Sequence, residues 1–92
     1  MAHSQVPSGW AEYAVIMGMN IQRRRTALHY SQEFVAYTAN LSRFAYQQLE
    51  HGQSRPGSPA NPSLINIMAV AQVLNVSLDE LLPDPWPDLH AK

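Results

Sequence analysis

The sequence contains no cysteine, which excludes a disulfide framework and thiolate chemistry and fits a reducing compartment. It also lacks a long apolar run. The most apolar stretch, WAEYAVIMGM from Trp10, is interrupted by Glu12 and falls well short of the roughly 20 residues a membrane span requires. No charged region precedes it as in a signal peptide, so a soluble, unexported, cytoplasmic chain is expected. Histidines at 3, 29, 51 and 90 are too scattered for the paired spacing of a zinc site, and neither metal nor cofactor is expected. There is no Gly-rich phosphate loop, no carboxylate pair, and no nucleophile, base and orienting acid that converge by spacing. An enzyme is therefore disfavoured.

What is present is one small domain. Ninety-two residues lie near the lower size at which a core holds together without disulfides or metal, so a partner subunit is expected to help. Net charge is −1, little for a nucleic-acid binder, but it is unevenly placed. Between residues 21 and 60 five arginines stand against Glu33 and Glu50, giving +3; between 77 and 92 four acids stand against Lys92, giving −3. At physiological salt the Debye length is about 8 Å, so a local basic face matters more than the total.

Pro7, the loop QSRPGSPANP at 53–62 and PDPWP at 83–87 punctuate segments of helical periodicity. No strand pattern persists, and the fold class is read as all-α. Three parts are expected: an N-terminal arm at 1–9, a helical domain at 10–82 and a Pro-rich tail at 83–92. The first helix runs from about Trp10 to Leu28, with Ala14, Met17, Ile21 and Leu28 on its inner stripe. Gly18 is tolerated within it at a cost near 1 kcal/mol. Arg25 lies on that same apolar stripe, an anomaly. Ser31 caps a short helix at 32–38 with Val35, Ala36 and Ala39 inward. Asn40 sits where the chain must turn and tolerates the left-handed conformation. Ser42 caps a helix that ends at Gly52, with Tyr46 and Leu49 inward and Glu50 on the same side, a second misplaced charge. A fourth helix carries the stripe Leu64, Ile67, Met68, Ala71 and Leu74. Ser77-Leu78-Asp79-Glu80 forms a capping box for a fifth, with Val76 and Leu81 placed as a hydrophobic staple.

Two short helices joined by a tight turn, with small Ala36 near their crossing, describe a helix-turn-helix. Arg43, Phe44, Gln47 and Gln48 are left outward on its second helix. A major groove about 12 Å wide admits such a helix; Arg reads G and Gln reads A bidentately, while an aromatic edge packs on thymine methyls. The competing reading of these residues is a solvated helix face. Arg23 and Arg24 are read as phosphate contacts, against the alternative of ordinary end-of-helix charges.

Several segments together resemble the phage repressor and Cro helix-turn-helix proteins, the XRE family. They are MGMNIQRRR with Ile21 and Arg25, SQEFVA at 31–36, NLS at 40–42, LEHG at 49–52, NPSLINIMAVAQVLNVS at 61–77 and DELL at 79–82. The resemblance covers roughly 17–82. It implies a five-helix, lambda-repressor-like DNA-binding domain with the second helix of the motif in the major groove of double-stranded DNA. Such domains commonly act as dimers on a near-palindromic operator. It implies base contact by Arg43, Phe44 and Gln48 with Gln47 beside them. Phosphate contact is implied for Gln32, Ser42 and the amide near His51. It also suggests that Arg25 pairs with Glu50, which accounts for both misplaced charges. Departures from the family pattern are Asn40 for the usual glycine, Tyr46 for a smaller aliphatic, and a longer loop at 53–62. Trp10, Tyr13 and Trp86 lie outside the match, and either stitch subunits together or cap one core. A second functional class is a protein-binding use of the same fold, such as an antitoxin masking a partner.

Overall fold

The computed structural model describes residues 9–89, so most of the arm at 1–9 and the last three residues of the tail lie outside the described residues. Five helices and one small hairpin follow in order: α1 Trp10–Ala27, α2 Gln32–Thr38, α3 Arg43–His51, β1 Gln53–Arg55, β2 Ser58–Pro59, α4 Leu64–Val73 and α5 Leu78–Leu81. The boundaries follow from local chemistry. α2, α3 and α4 each begin on a serine in extended conformation whose Oγ accepts a backbone N–H three residues on: Phe34 at 3.0 Å, Ala45 at 3.0 Å and Asn66 at 3.2 Å. α5 begins on Ser77, where the Glu80 carboxylate accepts the Ser77 backbone N–H at 2.8 Å and its hydroxyl at 3.0 Å.

Helix ends have an equally simple cause. His29, Asn40 and Asn75 take φ values of 61°, 63° and 59° just after α1, α2 and α4, and the next N–H folds back onto the helix. Tyr30 N–H donates to Arg25 O at 3.2 Å, Leu41 N–H to Ala36 O at 2.8 Å and Val76 N–H to Ala71 O at 3.0 Å. Asn40 thus makes the turn of the motif with a left-handed backbone.

The core is built from Met17 and Ile21 of α1, Val35 and Ala36 of α2 with Ala39 just after it, Tyr46 and Leu49 of α3, Ile67, Val70 and Ala71 of α4 with Leu74 at its C-cap, and Leu81. Its phase on α4 differs from the expected stripe. The buried set runs 67, 70, 71, 74, whereas Leu64 and Met68 are exposed. Both are apolar, and only packing against α2 and α5 chooses which apolar row turns inward. Leu28 is likewise exposed rather than inner, because α1 ends at Ala27 and the chain turns away at Leu28.

α1 crosses the C-terminal end of α3 at very short range. A Cβ at Gly18 would lie 2.4 Å from Leu49 O and 2.5 Å from Glu50 O, so glycine there is a requirement of the crossing rather than a tolerated weakness. The loop at 53–62, read as irregular, instead contains an antiparallel hairpin with Arg55 opposite Ser58. Its turn places Pro56 and Gly57 centrally, and Gly57 has φ 82°, as a type II turn demands. The strands are too short to show alternation in sequence. Trp10 and Tyr13, whose role the sequence left open, work within the chain. Trp10 Nε1 donates to Ala60 O at 2.8 Å, Tyr13 Oη donates to Pro83 O at 2.9 Å, and the two rings stack at 5.5 Å. Trp86 is exposed.

Candidate nucleic-acid interface

α2 and α3 are held together by a buried polar cluster centred on Glu50, whose side chain is only 2 % exposed. Its Oε2 accepts from Arg25 Nε and from Tyr46 Oη, both at 2.5 Å. Its Oε1 accepts from Gln32 Nε2 at 2.9 Å and Arg25 Nη2 at 3.2 Å. Arg25 Nη1 also donates to Tyr30 O at 2.9 Å. The cluster ties α1, α2 and α3 to one carboxylate, and no buried side-chain polar atom among the described residues lacks a partner. Burial by itself pushes the Glu50 carboxyl upward. The hydrogen bonds from Arg25, Tyr46 and Gln32 and the Arg25 charge outweigh that and hold it below the ordinary glutamate value. Tyr46 moves the other way, raised first by burial and then by its bond to Glu50, so it stays protonated and donates.

This cluster shapes the outer face. Gln32 Oε1 accepts from Gln47 Nε2 at 3.2 Å, so the network runs from the buried carboxylate to the exposed side of α3. Sequence reasoning missed this inward role for Gln32, and it missed the Tyr46 hydroxyl, although Tyr46 and Glu50 share the i, i+4 spacing that brings them together.

Arg43 and Phe44 are exposed, and Gln47 and Gln48 are half-buried at their bases. The four form a ridge along α3 that is open at Arg43 and Phe44 and is flanked at Gln47 and Gln48 by Gln32 and Ser54. Arg43 Nη1 pairs with Glu33 Oε2 across the turn at 3.1 Å, but with both side chains about two-thirds exposed, at 60 % and 67 %, such a pair contributes ~0–1 kcal/mol and is readily exchanged. Gln48 Nε2 donates to Ser54 O at 2.9 Å, which leaves its second N–H and its oxygen without a hydrogen bond among the described residues. That residual pair is the donor–acceptor set that matches adenine in the major groove.

The residues expected at phosphates are more dispersed. Ser42 lies at the α3 N-terminus with its Oγ engaged as a cap, and His51 is exposed in the last turn of α3. Gln32 is turned toward Glu50 and keeps one amide hydrogen uncommitted. Arg23 bonds Asn20 Oδ1, and Arg24 leans toward α5, 3.7 Å from Glu80 Oε2, so neither joins the α3 ridge through a contact of its own. Among the described residues no three His, Asp or Glu side chains gather as a metal site, and no helix is long and apolar enough to cross a membrane.

A helix-turn-helix family model matches residues 21–81, which spans the Glu50 cluster, the whole ridge and the core from Ile21 onward. The chain belongs to the XRE family of Cro- and repressor-like helix-turn-helix proteins. Members of this family are DNA-binding regulators rather than enzymes. Solved XRE-like structures agree in fold. The restriction-modification controller protein C.AhdI from Aeromonas hydrophila is 33% identical, with 75% of this chain and 96% of that one covered and a TM-score of 0.66. The hypothetical transcription factor NHTF from Neisseria is 25% identical over 92% and 90% of the two chains, with a TM-score of 0.67. SinR, the master regulator for biofilm formation, solved in complex with DNA, is 26% identical over 71% and 95%, with a TM-score of 0.59. The SinR/SinI protein complex also matches, at 26% identity over 74% and 61% with a TM-score of 0.62. No curated protein matches the chain.

Proposed function

We propose that this XRE-family regulator binds a near-palindromic operator as a dimer, with α3 in the major groove and Arg43, Phe44, Gln47 and Gln48 reading base edges. It acts in the cytoplasm by occupying DNA rather than by chemistry. The observation that carries this reading is the open ridge on α3, rigidly backed by the Glu50 cluster and carrying no acidic side chain of its own. A donor-rich, aromatic-bearing helix face that the core does not need is suited to a groove in which each base pair presents a distinct pattern. Ser42, His51 and the free amide hydrogen of Gln32 supply phosphate contacts that set register, and Arg23 and Arg24 add to the positive field. The complex of SinR with DNA supports DNA as the partner. The complex of SinR with SinI supports a protein partner. Exposed Leu64, Ile65 and Met68 on α4 give apolar surface for a second copy.

Random-duplex selection followed by sequencing tests the whole reading. A pool that converges on inverted half-sites about one helical turn apart supports it. A pool without convergence refutes sequence-specific binding, and convergence on one asymmetric site refutes the dimer. On the selected site Gln48→Ala is expected to weaken binding by roughly 1 to 3 kcal/mol and to relax preference at one position. An equal loss on selected and random duplexes would count against base reading by Gln48.

A further inference from the structure

Two adjacent residues in the first turn of α2 each hold a residue of the α3 ridge. Gln32 Oε1 accepts from Gln47 Nε2 at 3.2 Å, and Glu33 Oε2 accepts from Arg43 Nη1 at 3.1 Å. Positions 43 and 47 stand one turn apart on the same face of α3, so α2 backs that face at two successive points. Glu33 is an unexpected residue for this place. From residue 13 to residue 78 the sequence holds two acids, Glu33 and Glu50, and Glu50 is buried against Arg25. Glu33 is thus the one exposed negative charge of the helix-turn-helix, next to a face suited to polyanionic DNA, where it costs affinity. An acid in the first turn of a helix complements the macrodipole, but it would do so equally well without reaching Arg43.

The contact divides the guanidinium. Nη1 faces Glu33, while Nε and Nη2 carry no hydrogen bond among the described residues. Those two nitrogens form one edge of the planar fork, a pair of parallel donors that matches guanine O6 and N7. A guanidinium free to rotate offers any edge to any acceptor, and phosphate oxygens are the commonest acceptors on a duplex. One held by a carboxylate has fewer orientations to lose on meeting a base, and part of its charge is already matched. In solvent the pair contributes little stability, with side chains 60 % and 67 % exposed. Where a groove displaces the surrounding water the same pair strengthens, and what it supplies is direction.

We infer that Glu33 is the positioning residue for guanine recognition by Arg43: it holds Nη1 and leaves the Nε–Nη2 edge to donate bidentately to the base. This role rests on the assignment of α3 as the reading helix with Arg43 at a base edge. It also gives a reason for an acid on a face that otherwise carries none: charge lost against the backbone is exchanged for discrimination at one base pair.

The test compares wild type, Glu33→Ala and Glu33→Gln, each with Arg43 intact and with Arg43→Ala, by fluorescence anisotropy on the selected duplex, on its single-base-pair variants and on a random duplex. Both side chains are exposed, so all the proteins are expected to melt close to wild type. Loss of the negative charge should raise affinity for every duplex by a similar factor in the two Glu33 variants. They part at the guanine that Arg43 reads, the position where Arg43→Ala abolishes preference. There Glu33→Ala should lower discrimination about three- to tenfold, whereas Glu33→Gln, which keeps an acceptor oxygen at the same reach, retains most of it. With Arg43→Ala the two Glu33 variants should show the same base preferences. Discrimination unchanged in Glu33→Ala, or lost equally in both variants, overturns the positioning role alone, and so does a Glu33→Ala effect that persists without Arg43. Failure of the wild type to bind either duplex, or an Arg43→Ala protein with every base preference intact, overturns the assignment of α3 and Arg43 and this inference with it.

Discussion

Arg25→Ala should lower the unfolding free energy by about 3 to 5 kcal/mol at neutral pH, a large share of the roughly 5 to 15 kcal/mol that holds a domain of this size. The reason is the state in which it leaves Glu50. That side chain is 2 % exposed, and without the guanidinium its two remaining bonds, from Tyr46 and Gln32, must offset the desolvation of a full charge. The pH dependence separates this account from a mere packing loss. In the wild type the Glu50 pKa is depressed, so its contribution is fully present above the ordinary value of 4.5 and is lost as pH falls through the lower folded value. In the variant the buried carboxyl has no cation beside it and its pKa is higher than in the wild type, so the difference between the two proteins narrows on acidification. The gap between the two proteins should be widest near pH 7 and shrink below pH 4.5, as read by urea unfolding at a series of pH values. A double-mutant cycle closed with Glu50→Ala should show coupling of about 0.5 to 3 kcal/mol. A variant as stable as wild type at pH 7, or a gap that does not change with pH, would falsify the ion-pair account.

Gly18→Ala gives the second large effect, and its sign is the informative part. Helix propensity alone predicts a gain of about 1 kcal/mol, since alanine is the best helix former and glycine among the worst. The crossing predicts the reverse. The new methyl group would sit 2.4 Å from Leu49 O and 2.5 Å from Glu50 O, both backbone atoms in the last turn of α3, and neither can swing aside as a side chain would. Forcing an atom into packed surroundings costs typically ~1–3 kcal/mol, and rigid neighbours put this case at the upper end. A net loss of about 2 kcal/mol is expected in the urea midpoint. α3 would also shift relative to α1, and the ridge with it, so DNA affinity should fall together with stability. A Gly18→Ala protein more stable than wild type would mean that α1 and α3 do not cross as closely as described.

Much of the architecture was legible in the sequence because it is written in local chemistry. Serines at 31, 42 and 77, together with Asn40, Gly52 and Asn75, mark helix starts and stops through hydrogen bonds and backbone angles that need only a few neighbouring residues, while the sequence left Asn61 and Ser63 as alternative starts of the fourth helix and the structure has Ser63. The ridge was legible for a related reason: once Tyr46 and Leu49 are taken as inward, a period of 3.6 residues leaves 43, 44, 47 and 48 outward. The hairpin was not legible, because five strand residues carry no period. Nor was the inner row of α4, where Leu64 and Met68 are as apolar as the Val70 that is buried in their place.

The sequence by itself determined the five helices to within a residue or two, with the start of the fourth left between Asn61 and Ser63, which two form the motif, and that Arg25 and Glu50 lie on inward stripes, since these follow from short-range rules acting within one turn of chain. Only the tertiary structure decided that Gln32 serves Glu50, that Gly18 is the point where α1 meets α3, and that Trp10 and Tyr13 clasp the loop and tail of their own chain. Those outcomes depend on distances between residues up to 70 positions apart, from Tyr13 to Pro83, and such distances are set by how whole helices pack rather than by any local pattern.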